Sequence, residues 1–219
     1  VGFIAFWDWE WATSEKEVKR ALELDPDSAD THLYYGHLLS NTGRHAEALT
    51  EVKSAKELDP LSMRINILEG QFLMSAGQID EAVSSLQKTL ELDQSFWFAH
   101  ASASSVYIEK GMFVEAAAEA RKAKELSGAS TIPDAFLGYA LAKLGKKAEA
   151  ESVLEELLKL SKERYIPPYH IALVYNGLGM RDETIAWLER AYNERDPKMV
   201  FLKVQPKWKN LRDDPRFID

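Results

Sequence analysis

The 219-residue chain contains no cysteine, which excludes disulfides, thiolate metal sites and a cysteine nucleophile. That absence fits either a reducing or an oxidising compartment. No apolar run approaches the ~18–20 residues needed to cross a bilayer, so no membrane contact is expected of this segment. The opening Val1–Phe6 lacks the basic stretch and small-residue cleavage site of a secretory leader. Cationic excess is missing too: 35 acidic residues against 27 basic ones leave a net charge of −8. Broad binding to a phosphate backbone is therefore not expected, and nucleic acid is excluded as a partner. Glycine is scarce, at 11 residues, and never clustered, so there is no phosphate-cradling loop. The five histidines form neither an HExxH arrangement nor a pair at four-residue spacing. No nucleophile elbow surrounds Ser102, Ser104 or Ser105. The acidic pairs Glu155-Glu156 and Asp213-Asp214 lie in charge-rich stretches that read as solvated faces. We expect no catalytic residue, no cofactor and no metal.

What the chain does have is a period. Gly43, Gly77, Gly111, Gly145 and Gly179 recur every 34 residues without a slip. Seven residues earlier stand Gly2, Gly36, Gly70 and Gly138, with Ser104 and Ala172 in the remaining slots. Five residues after the first series come Ala48, Ala82, Ala116, Ala150 and Thr184. The first series separates two helical stretches and suits the left-handed residue that ends a helix. The second lies inside a helix, where glycine costs ~1 kcal/mol relative to alanine. Close approach of a neighbouring helix is the expected compensation, with the Ala48 series as the approaching surface. Ala48, Leu49, Val52, Ala55 and Leu58 form one apolar stripe at helical steps, and no strand-like alternation competes. Trp7 and Trp11 are expected on one helical face, with Trp9 in the turn-glycine slot.

Five complete repeats follow, at 29–62, 63–96, 97–130, 131–164 and 165–198. Residues 1–28 read as the end of an earlier repeat, and 199–219 as a cap over the last one, built on Met199–Val204, Trp208, Leu211 and Phe217. The start in mid-repeat leads us to expect a longer parent chain. Lys203, Lys207, Lys209, Arg212 and Arg216 in the cap alternate with acidic residues, so positive charge does not accumulate.

Small residues at positions 8, 20 and 27, with proline at 32, make this array resemble the tetratricopeptide repeat. The resemblance spans residues 1–198. Position 4 departs from it, holding His32, Asn66, His100, Asp134 and Pro168 where an aromatic is expected. The resemblance implies an all-α superhelix, a solenoid of five helix-turn-helix repeats, acting as a non-catalytic protein-interaction scaffold. It also implies a concave groove lined from positions 2, 5, 9 and 12. The candidate groove residues are Leu33, His37, Arg64, Ile67, Gln71, Met74, Phe98, Ala101, Ser105, Ile132, Tyr139, Tyr169 and Asn176. Apolar groups dominate, and small Ala101 and Ser105 beside Phe98 leave room for an inserted side chain. A protein or peptide partner is expected, its anchors apolar. Family members that clamp acidic C-termini carry lysines and asparagines where this chain has Leu33, His37, Ile67 and Gln71, so that ligand is not expected.

The segments around Phe6–Pro26, Ala55–Ser62 and Leu211–Phe217 further resemble the repeat regions of bacterial multidomain regulators, which implies an upstream effector domain. Three alternatives stay open. The groove residues pack only within the superhelix; the groove binds a small molecule and controls a fused effector; or the array self-associates as a homo-oligomer. A cytoplasmic location is expected, or a periplasmic one if the parent chain has an upstream membrane segment.

Overall fold

The structure, a computed structural model, describes residues 1–218. Asp219, the end of the expected cap, lies outside the described residues. Two compact units are present: 1–92 with 200–204, and 93–199 with the chain from Gln205 onward.

The first unit holds α1 (Gly2–Trp7), α2 (Trp11–Leu24), α3 (Ala29–Asn41), α4 (His45–Leu58), α5 (Met63–Ser75) and α6 (Ile79–Leu92). The second holds α7 (Trp97–Lys110), α8 (Phe113–Ser127), α9 (Ile132–Lys143), α10 (Lys147–Glu163), α11 (Pro168–Leu178), α12 (Arg181–Asn193) and the short α13 (Pro215–Ile218). Two 3-10 segments, Pro197–Phe201 and Pro206–Leu211, precede α13. No strand occurs among the described residues. Within each unit consecutive helices pack as antiparallel pairs, and each pair packs on the next.

The same turn closes every first helix. Gly43 has φ +84°, its N–H donates to the Ser40 carbonyl, and the Arg44 N–H reaches back to Leu39. This double bond of the Schellman type satisfies carbonyls that the helix end leaves open. It recurs at Gly77, Gly111, Gly145 and Gly179. Trp9, with φ +65°, makes the same turn without glycine. It therefore separates Trp7, at the end of α1, from Trp11, at the start of α2. The expectation that these two tryptophans share a helical face is corrected, because the left-handed turn breaks the helix between them. The Phe6 ring instead meets both, at 4.9 and 5.4 Å.

The helix-interior glycines answer to sterics. A Cβ on Gly70 would stand 2.7 Å from Leu86 Cγ, and one on Gly138 2.8 Å from the Val174 methyls. At Gly36 the nearest atom is Phe72 on α5, with the Ala48 carbonyl next at 3.2 Å. The Ala48 series is thus only part of what approaches. Ser104 fills a glycine slot by donating its hydroxyl to the equivalent carbonyl, Ala116, at 2.8 Å.

Position 4 explains its missing aromatics. His32 sets Nδ1 2.6 Å from the Glu51 carboxylate and Nε2 2.9 Å from the Pro26 carbonyl. His100 repeats this with Glu119 and the Gln94 carbonyl at the same two distances. Asn66 donates to the Pro60 and Ser62 carbonyls, and Asp134 pairs with Lys124 at 2.6 Å. Polar ties fasten the first helix to the loop before it and to a neighbouring second helix, where ring packing was expected.

Candidate functional site

In the second unit α7, α9 and α11, the first helices of three successive pairs, pack side by side. Ser105 and Glu109 are one helical turn apart on α7, so both point the same way. Phe136 on α9, and Tyr169 with Asn176 on α11, face the same region. Across it lies Gln205–Leu211, most of it wound into the second 3-10 segment by Pro206.

The geometry centres on Lys207. Its ammonium is 3.4 Å from Glu109 Oε1, 3.2 Å from Ser105 Oγ and 3.2 Å from Gln205 Oε1. It also lies 5.5 Å from the centroid of the Phe136 ring, a cation–π distance. Lys207 and Glu109 side chains are 1% and 5% exposed. Burial draws the ammonium below the usual lysine range, and the Glu109 carboxylate pulls the other way. Burial also pushes the Tyr139 phenol up to about 12, with the Glu109 charge adding to the effect.

Trp208 is fully buried. Its Nε1–H donates to the Tyr169 hydroxyl at 2.8 Å, and that hydroxyl donates to Gln205 Oε1 at 2.7 Å. The two rings meet edge to face at 5.2 Å. Asn176 donates to the Lys207 main-chain carbonyl at 2.8 Å and accepts from the Asn210 amide at 2.7 Å. Farther along, Arg181 and Arg216 flank the Asp214 carboxylate, both at 2.8–2.9 Å. Arg216 also pairs with Asp182 on α12. The expected cap therefore divides its contacts: from Gln205 onward it packs on the second unit, whereas Val200–Val204 belongs with the first.

In the first unit Val200 joins the buried cluster that contains Leu33, and Phe201 packs against that cluster. The His37 ring, 8% exposed, stands 4.8 Å from Phe6, 6.1 Å from Phe72 and 5.7 Å from Phe201. Arg64 is exposed, stacks 5.5 Å from the Tyr34 ring and pairs with Asp30. Ile67 and Met74 are buried, and Gln71 is half-buried. A shallow pocket of about 330 Å³ beside α5 and α6 is lined by Lys56, Glu69, Ser85 and Lys88 among others, and by none of the candidate groove residues.

Of the candidates in the second unit, Ser105, Tyr169 and Asn176 meet around the C-terminal segment. Ala101 and Tyr139 are buried, Phe98 is half-buried against Trp97, and Ile132 is half-buried. Glu109 and Phe136 were missed because they fall at positions 13 and 6. The four-residue step from Ser105 was the available signal for Glu109. Among the described residues no group of three His, Asp or Glu side chains is arranged to hold a metal.

The paired helices, their glycine-closed turns and their small-residue contacts define an all-α repeat protein. Tetratricopeptide-repeat models match residues 18–50, 64–96 and 135–164. Those three segments match the tetratricopeptide-repeat family, and the fold of the chain is that family's helical solenoid. No curated relative matches it. Among solved structures, a thermophilic repeat protein of this class from Thermus thermophilus is 21% identical, with TM-score 0.63, covering 81% of this chain and 96% of that one. One from Parabacteroides merdae is 17% identical, with TM-score 0.62, covering 96% and 84%. The Cut9-Hcn1 hetero-tetramer of the APC/C is 20% identical, with TM-score 0.63, covering 93% and 40%. At these identities the likeness is one of fold.

Proposed function

We propose that the chain is a non-catalytic scaffold that recruits a protein partner by holding a peptide segment on the groove formed by its first helices. The family fold supports the scaffold role. The observation that carries the groove reading is that α7, α9 and α11 already hold a peptide, the chain's own Gln205–Leu211, through main-chain and side-chain bonds together. Side chains that bond a peptide carbonyl while seating its neighbours in fitted contacts are the means by which a surface reads an extended or turned segment. In keeping with its sequence, we place this scaffold in the cytoplasm, within a larger bacterial regulatory protein.

A pull-down with the tagged chain tests the reading. Phe98→Asp, on the groove side of α7, is expected to lose the partners that the wild type recovers. Val114→Asp, at a position 65% exposed on α8, is expected to keep them. Equal recovery by both variants would reject the groove as the binding surface.

A second reading, a small-molecule sensor, is favoured only by the pocket beside α5 and α6, whose two lysines and two carboxylates suit a polar metabolite. A metabolite screen by thermal shift separates the two, since a ligand at 100-fold excess over its Kd stabilises by ~2.7 kcal/mol.

A further inference from the structure

The Lys207–Glu109 pair is costly to bury. A buried ion pair adds little stability over an apolar pair of the same volume, because both charges give up water. An aliphatic residue at 207 opposite an apolar one at 109 would fasten the segment at least as well. What the pair supplies is selection, since only a cation of the right reach satisfies Glu109, Ser105 and the Phe136 face at once. The next residue is read separately: the Tyr169 hydroxyl accepts from an indole N–H and its ring takes the indole edge-on. Asn176 holds the lysine's own carbonyl, a contact any peptide offers, and so fixes register.

We propose that Gln205–Leu211 is a resident, displaceable ligand, and that the face of α7, α9 and α11 recognises in a partner protein a lysine followed directly by a tryptophan. The proposal rests on the groove reading above and adds the chemistry of the ligand. A tethered segment competes at an effective concentration that is roughly millimolar for short flexible connections. Partner binding is therefore weak until the resident leaves, and anything that loosens the resident exposes the site. Removing the Lys207 ammonium does so selectively. Glu109 is then buried without its cation, which favours release of the segment and rehydration of the carboxylate, and leaves the site ready for another lysine.

The test uses the full chain and a fluorescein-labelled peptide of residues 203–213, read by anisotropy. The peptide is expected to bind the Lys207→Met chain at least about tenfold more tightly than the wild type, because the competing tether is weakened. The same peptide carrying Lys207→Ala is expected to lose that binding, and so is the Lys207→Met chain once Glu109→Gln is added. Equal binding to wild type and Lys207→Met, equal binding of the lysine-less peptide, or no binding to a folded Lys207→Met chain each overturns the proposal. If Lys207→Met does not fold, Gln205→Ala takes its place. Hydrogen exchange in the wild type gives an independent readout: excess peptide is expected to speed exchange of the Lys207–Leu211 amides, and unchanged exchange counts against displacement. The pull-down above separates this proposal from the reading beneath it. Partners lost with Phe98→Asp while the peptide fails would keep the groove and reject the lysine–tryptophan code.

Discussion

The first unit receives its share of the C-terminal segment through Val200 and Phe201, apolar groups set beside Leu33 and the ring cluster around His37. The second receives Lys207 and Trp208, each with directed bonds to named partners. Apolar contact tolerates many occupants of similar volume. A buried cation with an acceptor set at fixed distances tolerates few. Neighbouring stretches of one segment are thus held by apolar packing in one unit and by directed polar bonds in the other.

The sharpest way to break that comparison is to remove one half of the buried pair. Glu109→Leu is expected to lower stability by up to about 3–5 kcal/mol, because Lys207 must either stay buried without its anion or leave and give up the contacts of its segment. The double variant Glu109→Leu with Lys207→Met is expected to recover most of the loss in urea unfolding. If the single variant is neutral, the pair is not desolvated as described. Truncating the anchors comes next. Trp208→Ala is expected to cost about 3–5 kcal/mol by the same measurement. Phe201→Ala, half-buried, is expected to cost about 1–2 kcal/mol. Equal costs would erase the distinction between the two attachments.

Acid distinguishes the units as well. In the second, His170 accepts or donates one bond with Thr131 at 2.8 Å, and burial, helped by the Lys198 charge, draws its imidazole from 6.5 to about 3. The unfolded state then binds more protons across that window, so stability is lost as the pH falls from 6.5 towards 3, by about 1.4 kcal/mol per unit. In the first unit, Lys19 and then Arg44 hold the Glu15 carboxyl down from 4.5 to about 2. Its contribution is full above 4.5 and lost only below. Burial raises Asp134 and Asp196 in the second unit, and acid relieves both. The informative quantity is therefore the difference between wild type and His170→Asn. That difference should narrow as the pH drops from 6.5, while the effect of Glu15→Gln holds above 4.5 and fades only as the pH falls on towards about 2. A flat His170 difference curve would remove the contrast.

The smallest effect expected is common to both units. Gly43→Ala and Gly111→Ala place a Cβ where nothing lies within 4 Å. Each should therefore cost only the left-handed backbone strain, roughly 1–2 kcal/mol, and by the same amount in thermal melts. Unequal values would mean the two turns are not the same device.

The helix pairs were legible because their signal is periodic. A left-handed turn needs glycine and a close helix contact needs a small side chain, so both mark the sequence every 34 residues. Trp9 shows the limit of that rule, since its turn is identical and its residue gives no warning. The site was half legible. Ser105, Tyr169 and Asn176 lie where the family's groove positions fall, and Glu109 stood one turn from Ser105. Their occupant was not legible at all. Lys207 bonds a residue 102 positions away, and no local pattern records a contact made by the chain returning on itself. In the sequence Lys207 was one of several alternating charges, and only its burial singles it out.

The polar ties at position 4 bear on where this array can be cut and rejoined. In the hairpins α3–α4 and α7–α8 the histidine and its carboxylate partner travel in the same piece, and the remaining acceptor is a main-chain oxygen that any upstream residue supplies. Those two hairpins carry their own latch and should survive grafting into another solenoid. The hairpin α9–α10 leaves its latch behind, because Asp134 fastens to Lys124 on α8.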